Sequence, residues 1–142
     1  MLGRALGVWL LIVLAESANG AVRALWISPV LGDGAARRLG FFVGCGLILL
    51  LAWATAPWLG ARRSGQQFAV GGLWAVLTFA FEVGLGLALG LELARILAEY
   101  RPGSGLMAWG MLWLILAPAL GARLRRATGA AVADPPGVAD RR

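Results

Sequence analysis

Apolar positions along the chain fall into four long runs divided by short stretches of Arg, Gly and Pro. The first run begins at Ala5, meets Glu16, Ser17, Asn19 and Arg23, and resumes as Ala24 to Ile27. The second, from Leu39 to Leu59, is nearly uninterrupted and carries Trp53 and Trp58 near its end; the third, from Phe68 to Leu91, is broken only by Thr78 and Glu82. The fourth, from Leu106 to Ala122, is followed at once by Arg123, Arg125 and Arg126. A helix needs about 20 apolar residues to cross the hydrocarbon layer, and a helix satisfies its own backbone groups there. The pattern therefore predicts an all-α membrane protein with four transmembrane helices, over about 5–27, 39–59, 68–91 and 106–122, in an antiparallel bundle.

The intervals between the runs supply the boundaries. Arg4, a short apolar core and small residues at Ala15 and Ser17 look like a signal peptide, yet Leu25-Trp26-Ile27 carries the apolar face to spanning length, so an uncleaved span is expected. Ser28-Pro29 and Gly32-Asp33-Gly34 read as turns, and Pro102-Gly103-Ser104-Gly105 as a stop. Glu92, Arg95 and Glu99 recur at i, i+3, i+7, which predicts that the third helix extends beyond the membrane as an amphipathic stalk, with Tyr100 and Arg101 among its outer-face polar groups. After Arg126 no periodicity remains, so 1–126 reads as the transmembrane domain and 127–142 as a disordered tail.

Composition narrows the chemistry. Of 142 residues, 60% are hydrophobic and only 14% charged. The absence of His and Lys removes an imidazole base, a Schiff-base amine and the usual metal ligand, and the single Cys45 excludes an intrachain disulfide or a paired-cysteine zinc site. No enzymatic role, cofactor or metal is expected. The formal charge is +6, but its arginines stand in twos and threes at membrane edges without interleaved stacking aromatics, so they read as topology determinants rather than a nucleic-acid surface. With four spans, Arg4, Arg62, Arg63, Arg123, Arg125 and Arg126 share one side, against Arg37, Arg38 and Arg101 on the other; the positive-inside rule then puts both termini in the cytoplasm.

The polar residues inside the runs are the candidate site. Glu16, Asn19, Gly20 and Arg23 follow i, i+3, i+4, i+7 and form one stripe on the first helix. A carboxylate there costs about 2.5–3.5 kcal/mol to insert, so it must face protein or water. At 1.5 Å per residue, Glu16 and Arg23 are about 10 Å apart along the axis, and each needs a partner from elsewhere. On the third helix Trp74, Thr78, Glu82, Gly86 and Gly90 form an i+4 ridge. Glu16 lies about 18 Å and Glu82 about 21 Å from the cytoplasmic ends of two parallel helices. The expectation is one intramembrane cluster of Glu16, Asn19, Arg23, Thr78 and Glu82, ending in an outer group of Glu92, Arg95, Glu99, Tyr100 and Arg101. Such a cluster either specifies helix packing or shares and exchanges a proton or cation, and the pattern leaves both open.

Gly40 with Gly44, and Gly86 with Gly90, form GxxxG spacings suited to close helix approach. The seven tryptophans read as interfacial anchors or packing residues, and Cys45 as a small buried residue.

Two resemblances bear on these motifs. Glu16-Ser17 with Gly20 and Arg23, Pro29 with Gly32-Asp33, Leu77-Thr78 with Phe81-Glu82 and Gly86, and Glu99-Tyr100 before a glycine resemble a set of small, uncharacterised bacterial four-helix membrane proteins. That resemblance implies residence in the bacterial inner (cytoplasmic) membrane and treats Glu16, Arg23 and Glu82 as one unit, but implies no activity. Leu14-Ala15-Glu16 is also similar to the first helix of small multidrug-resistance exporters, whose membrane-embedded Glu exchanges protons for cationic drugs. Arg23 on the Glu16 stripe and the second acid Glu82 depart from that family. The expected role is a structural or accessory membrane subunit, the alternative a proton- or cation-coupled transporter acting as a dimer. The expected partners are the lipid bilayer and a homodimer or larger membrane complex.

Overall fold

The computed structural model describes residues 1–101, 103 and 105–133. Among the described residues six α-helices form: α1 Leu2–Val22, α2 Ser28–Leu31, α3 Asp33–Leu59, α4 Ser64–Ala88, α5 Leu93–Ala98 and α6 Met107–Ala133. Four helical stretches among the described residues are long and apolar enough to cross a membrane: Leu2–Leu31, Asp33–Leu59, Ser64–Ala88 and Met107–Gly129.

The first stretch is continuous because α1 and α2 are joined by a π-helical turn, Arg23–Ile27, in which the Ser28 N–H reaches back to the Arg23 carbonyl. Pro29, in the first turn of α2, explains the widening. It has no N–H, and its ring would strike the carbonyl four residues back in a regular helix. Ser28-Pro29 is thus helical rather than a turn; the reversal is confined to Gly32, at φ 77°.

Further boundaries differ from the sequence reading. The third span is not extended beyond its apolar run: α4 ends at Ala88, Gly90 adopts φ 79°, and Glu92 is extended backbone preceding the separate helix α5. The i, i+3, i+7 spacing of Glu92, Arg95 and Glu99 holds only within a continuous helix, and a glycine in the left-handed region interrupts it. In the last span the helix continues through Ala133, so 127–133 is helical where a disordered tail is expected. Residues 134–142 of that tail lie outside the described residues. Finally, α1 and α3 both begin several residues earlier than their apolar runs, at Leu2 and Asp33.

The long helices pack as a ring in which α1 meets α3, α3 meets α6, α6 meets α4 and α4 meets α1, with α6 seated closely against both α3 and α4. Glycine permits the two tightest crossings. A Cβ on Gly71 would run into the backbone of Ile115, and one on Gly121 would lie 2.7 Å from the backbone of Ala52 and Trp53.

The apolar core fills one end of the ring: Ala5, Val8 and Ile12 meet Ile48, Ala52, Val70, Trp74, Leu114 and Ala117. The link between α3 and α4 closes this end with polar bonds. Gly60 turns at φ 72°, Gln66 Oε1 accepts from the Arg62 and Arg63 N–H groups, and the buried Gln67 donates to the Ala61 carbonyl at 3.0 Å. Outward-facing Leu10, Leu14, Phe42, Leu50, Val76 and Leu85 are exposed, which suits lipid rather than water.

Candidate functional site

Glu16 and Glu82, the two intramembrane acids, occupy different surroundings. Glu16 and Asn19 rise from α1 onto the small-residue ridge of α3. Asn19 Nδ2 donates to the Gly40 carbonyl at 2.9 Å and makes a long contact of 3.4 Å to Glu16 Oε2. The Glu16 carboxylate rests on Gly44: a Cβ at Gly44 would sit 2.6 Å from Oε2 and 2.9 Å from Oε1. Arg23 lays its aliphatic stem over Gly40 in the same way, Cδ falling 2.8 Å from a Cβ placed there. The GxxxG of the second span is therefore used inside the chain, to seat a carboxylate, an amide and an arginine stem. Glu16 Oε1 is buried and has no hydrogen-bond partner among the described residues.

Glu82 lies on α4 and is bonded from outside its own helix. The Tyr100 hydroxyl donates to Glu82 Oε2 at 2.6 Å, and the Tyr100 ring packs edge-on against Phe79 with centroids 5.1 Å apart. Ile96 of α5 is buried over Gly86, where a Cβ would meet its Cδ1 at 2.6 Å. Two glycines with positive φ, Gly90 and Gly103, bound this segment. Burial pushes the Tyr100 phenol above its ordinary value, and the hydrogen bond to Glu82 and its charge push it further.

Thr78 belongs to neither group. Its hydroxyl accepts from Trp9 Nε1 at 3.1 Å, and Trp9 also meets Phe81 edge-on with centroids 6.5 Å apart. The expected five-residue cluster is thus divided: Glu16, Asn19 and Arg23 pack on α3, Thr78 pairs with Trp9, and Glu82 pairs with Tyr100. Among the described residues no ion pair joins Glu16, Arg23 and Glu82, and no buried charged cluster forms. Equal depth on parallel helices brings the acids to one level, but the closer neighbour of α1 at that level is the glycine face of α3. Gly20, placed on the stripe by spacing, has open space around it, and Gly90 is a turn rather than a packing residue.

Glu92, Arg95, Glu99 and Arg101 are exposed, with Glu92 before α5, Glu99 after it, and the Glu99 side chain lying against Gly105. Tyr100 turns inward to a span.

The tryptophans form a set of interhelical bonds that composition does not reveal. Trp74 Nε1 donates to the Ala5 carbonyl and Trp113 Nε1 to the Cys45 carbonyl, both at 2.9 Å. With Trp9 to Thr78, these link α4 to α1 and α6 to α3. Cys45 is half-buried and lines an apolar groove of about 380 Å³ with Phe41, Phe42, Trp109, Leu112, Trp113 and Leu116, on the side of α3 turned toward α6. Among the described residues no group of His, Cys, Asp and Glu could hold a metal ion.

No protein-family model, curated protein or solved structure matches this chain.

Proposed function

We propose that the chain is a structural or accessory subunit of the bacterial inner (cytoplasmic) membrane, with its four spans alternating in direction and both termini in the cytoplasm. Contacts between the first two spans run in reverse order, Arg4 to Trp58 and Asn19 to Gly40, as they would in an antiparallel bundle. The E-S-x-x-G-x-x-R and L-T-x-x-F-E motifs support placement with the small four-helix bacterial proteins that they resemble.

One observation carries the subunit reading: the intramembrane polar groups are used to join one element to another. Asn19 bonds α1 to α3, Trp74 bonds α4 to α1, Trp113 bonds α6 to α3, and Tyr100 ties the segment after α5 to α4. In lipid, where apolar contact alone barely distinguishes one helix face from another, such bonds select the faces that pack. A cross-bonded bundle with exposed apolar flanks and short loops suits docking into a larger complex. The test is extraction of tagged protein from native membranes in mild detergent. A complex of fixed stoichiometry with the same membrane partner is expected, and a protein that runs alone would contradict the reading.

A second reading, a small proton- or cation-coupled transporter acting as a dimer, is favoured by Glu16 Oε1. A buried carboxylate oxygen without a donor is a place where a proton or cation could reside.

A further inference from the structure

The six arginines Arg4, Arg62, Arg63, Arg123, Arg125 and Arg126 are exposed at one end of the ring, where α1 and α4 begin and α3 ends. Two of them are pinned to the same end of α3. Arg4 Nη1 donates to the Trp58 carbonyl at 2.9 Å, and its guanidinium carbon stands 5.8 Å from the centroid of the Trp58 ring. The Arg125 guanidinium carbon stands 4.7 Å from the centroid of Trp53. Arg62 and Arg63 follow Gly60, beside which Arg4 lies; the polar bonds of this link use their backbone N–H groups and leave the side chains at the surface.

The acids of the described chain are elsewhere: Asp33 begins α3 at its far end, Glu16 and Glu82 lie within spans, and Glu92 and Glu99 flank α5. Asp134 and Asp140 are outside the described residues. Among the described residues the end is thus a concentration of positive charge without a neighbouring carboxylate, at the level where an apolar helix passes into the headgroup layer. A guanidinium held over an indole keeps most of its five N–H donors for another acceptor and loses little further freedom on binding one.

We infer that this end is a binding surface for anionic phospholipid headgroups, whose phosphates are held by Arg4, Arg62 and Arg63 on one side and by Arg123, Arg125 and Arg126 on the other. Anionic lipid supplies the complementary charge at the right depth, and planar guanidinium groups match phosphate oxygens two at a time. The surface is independent of either functional reading above.

The test is binding of phosphatidylglycerol and of phosphatidylcholine to purified protein in detergent micelles, read by native mass spectrometry. Phosphatidylglycerol is expected to be retained preferentially. Each contributing arginine is expected to be worth about fivefold, so Arg4→Gln with Arg62→Gln and Arg63→Gln weakens retention roughly a hundredfold. Arg37→Gln with Arg38→Gln, at the far end, leaves it unchanged. Should the triple variant fail to fold, Arg62→Gln with Arg63→Gln, whose side chains make none of the bonds above, weakens retention about 25-fold on the same arithmetic. Equal retention of both lipids, or an equal loss in the far-end variant, would overturn the inference. So would competition by inorganic phosphate at the lipid's own concentration, which would make this a site for free phosphate.

Discussion

Tyr100 donates its hydroxyl to Glu82 Oε2 across 2.6 Å, fastening the segment that follows α5 to a carboxylate within the third span. Hydrogen bonds to ionised groups contribute about 1.5–3 kcal/mol in water-soluble proteins, whereas interhelical bonds in membranes average about 0.6 and reach about 1.7. A double-mutant cycle between Tyr100→Phe and Glu82→Ala, followed by unfolding in detergent, is expected to give a coupling of about 1–2 kcal/mol. Additive effects would mean that the pair does not hold the segment down.

The same phenol gives a pH dependence. An unfolded tyrosine titrates near pH 10, and the folded Tyr100 titrates higher. Below about pH 10 both states keep the proton and the contribution is fully present; as pH rises from there through the folded-state value, the unfolded chain ionises first and stability is lost. The chain has one tyrosine and no lysine, so tyrosinate absorbance reports this group alone. In a Cys45→Ala background, Tyr100→Phe is expected to flatten the alkaline fall in stability. An identical fall in both proteins would show that Tyr100 is not its source.

Glycine substitutions should separate by what the new methyl group meets. At Gly71 it meets the backbone of Ile115 in α6, and at Gly121 the backbone of Ala52 and Trp53 in α3, neither of which can move without shifting a whole helix. Gly71→Ala and Gly121→Ala are each expected to cost about 1–3 kcal/mol or more by overpacking. At Gly44 the methyl meets the far end of the Glu16 side chain, which can swing away. Gly44→Ala should therefore cost less than either, and thermal unfolding of the three variants in one detergent gives the ranking.

Trp74 is fully buried and Trp113 half-buried, and both donate to helix carbonyls. Trp74→Phe removes the N–H and part of the packing, and is expected to destabilise by about 1–3 kcal/mol, against roughly 0.5–1.5 for Trp113→Phe. Trp26, 70% exposed, makes no such bond, and Trp26→Phe is expected to change unfolding little.

How far these features could be read in advance depends on the range of the interaction behind them. Hydropathy places the four spans because lipid imposes its demand on each helix separately. The break at Gly90 is harder to see: charge spacing through Glu92, Arg95 and Glu99 fits a continuing helix, and only the backbone reveals that the glycine takes φ 79°. The division of the polar cluster is harder still. Periodicity gives the Glu16–Asn19–Arg23 face and depth gives Glu82 the same level, yet the choice between Gly44 and Glu82 as the neighbour of Glu16 is made by how α1 is rotated. Glu99-Tyr100 before a glycine was a visible signal, though its tyrosine reads as surface until the chain reverses and brings it back to α4.

Vesicle flux measurements reach the central claim, that intramembrane polar groups serve packing rather than transport. Purified protein is reconstituted with a pH gradient, alone and with each monovalent cation, beside Glu16→Gln and protein-free vesicles. Packing alone predicts leakage at the protein-free level for both proteins, with Glu16→Gln altering only thermal stability. Gradient-driven proton or cation flux that disappears in Glu16→Gln would contradict the claim and establish Glu16 as a transport residue.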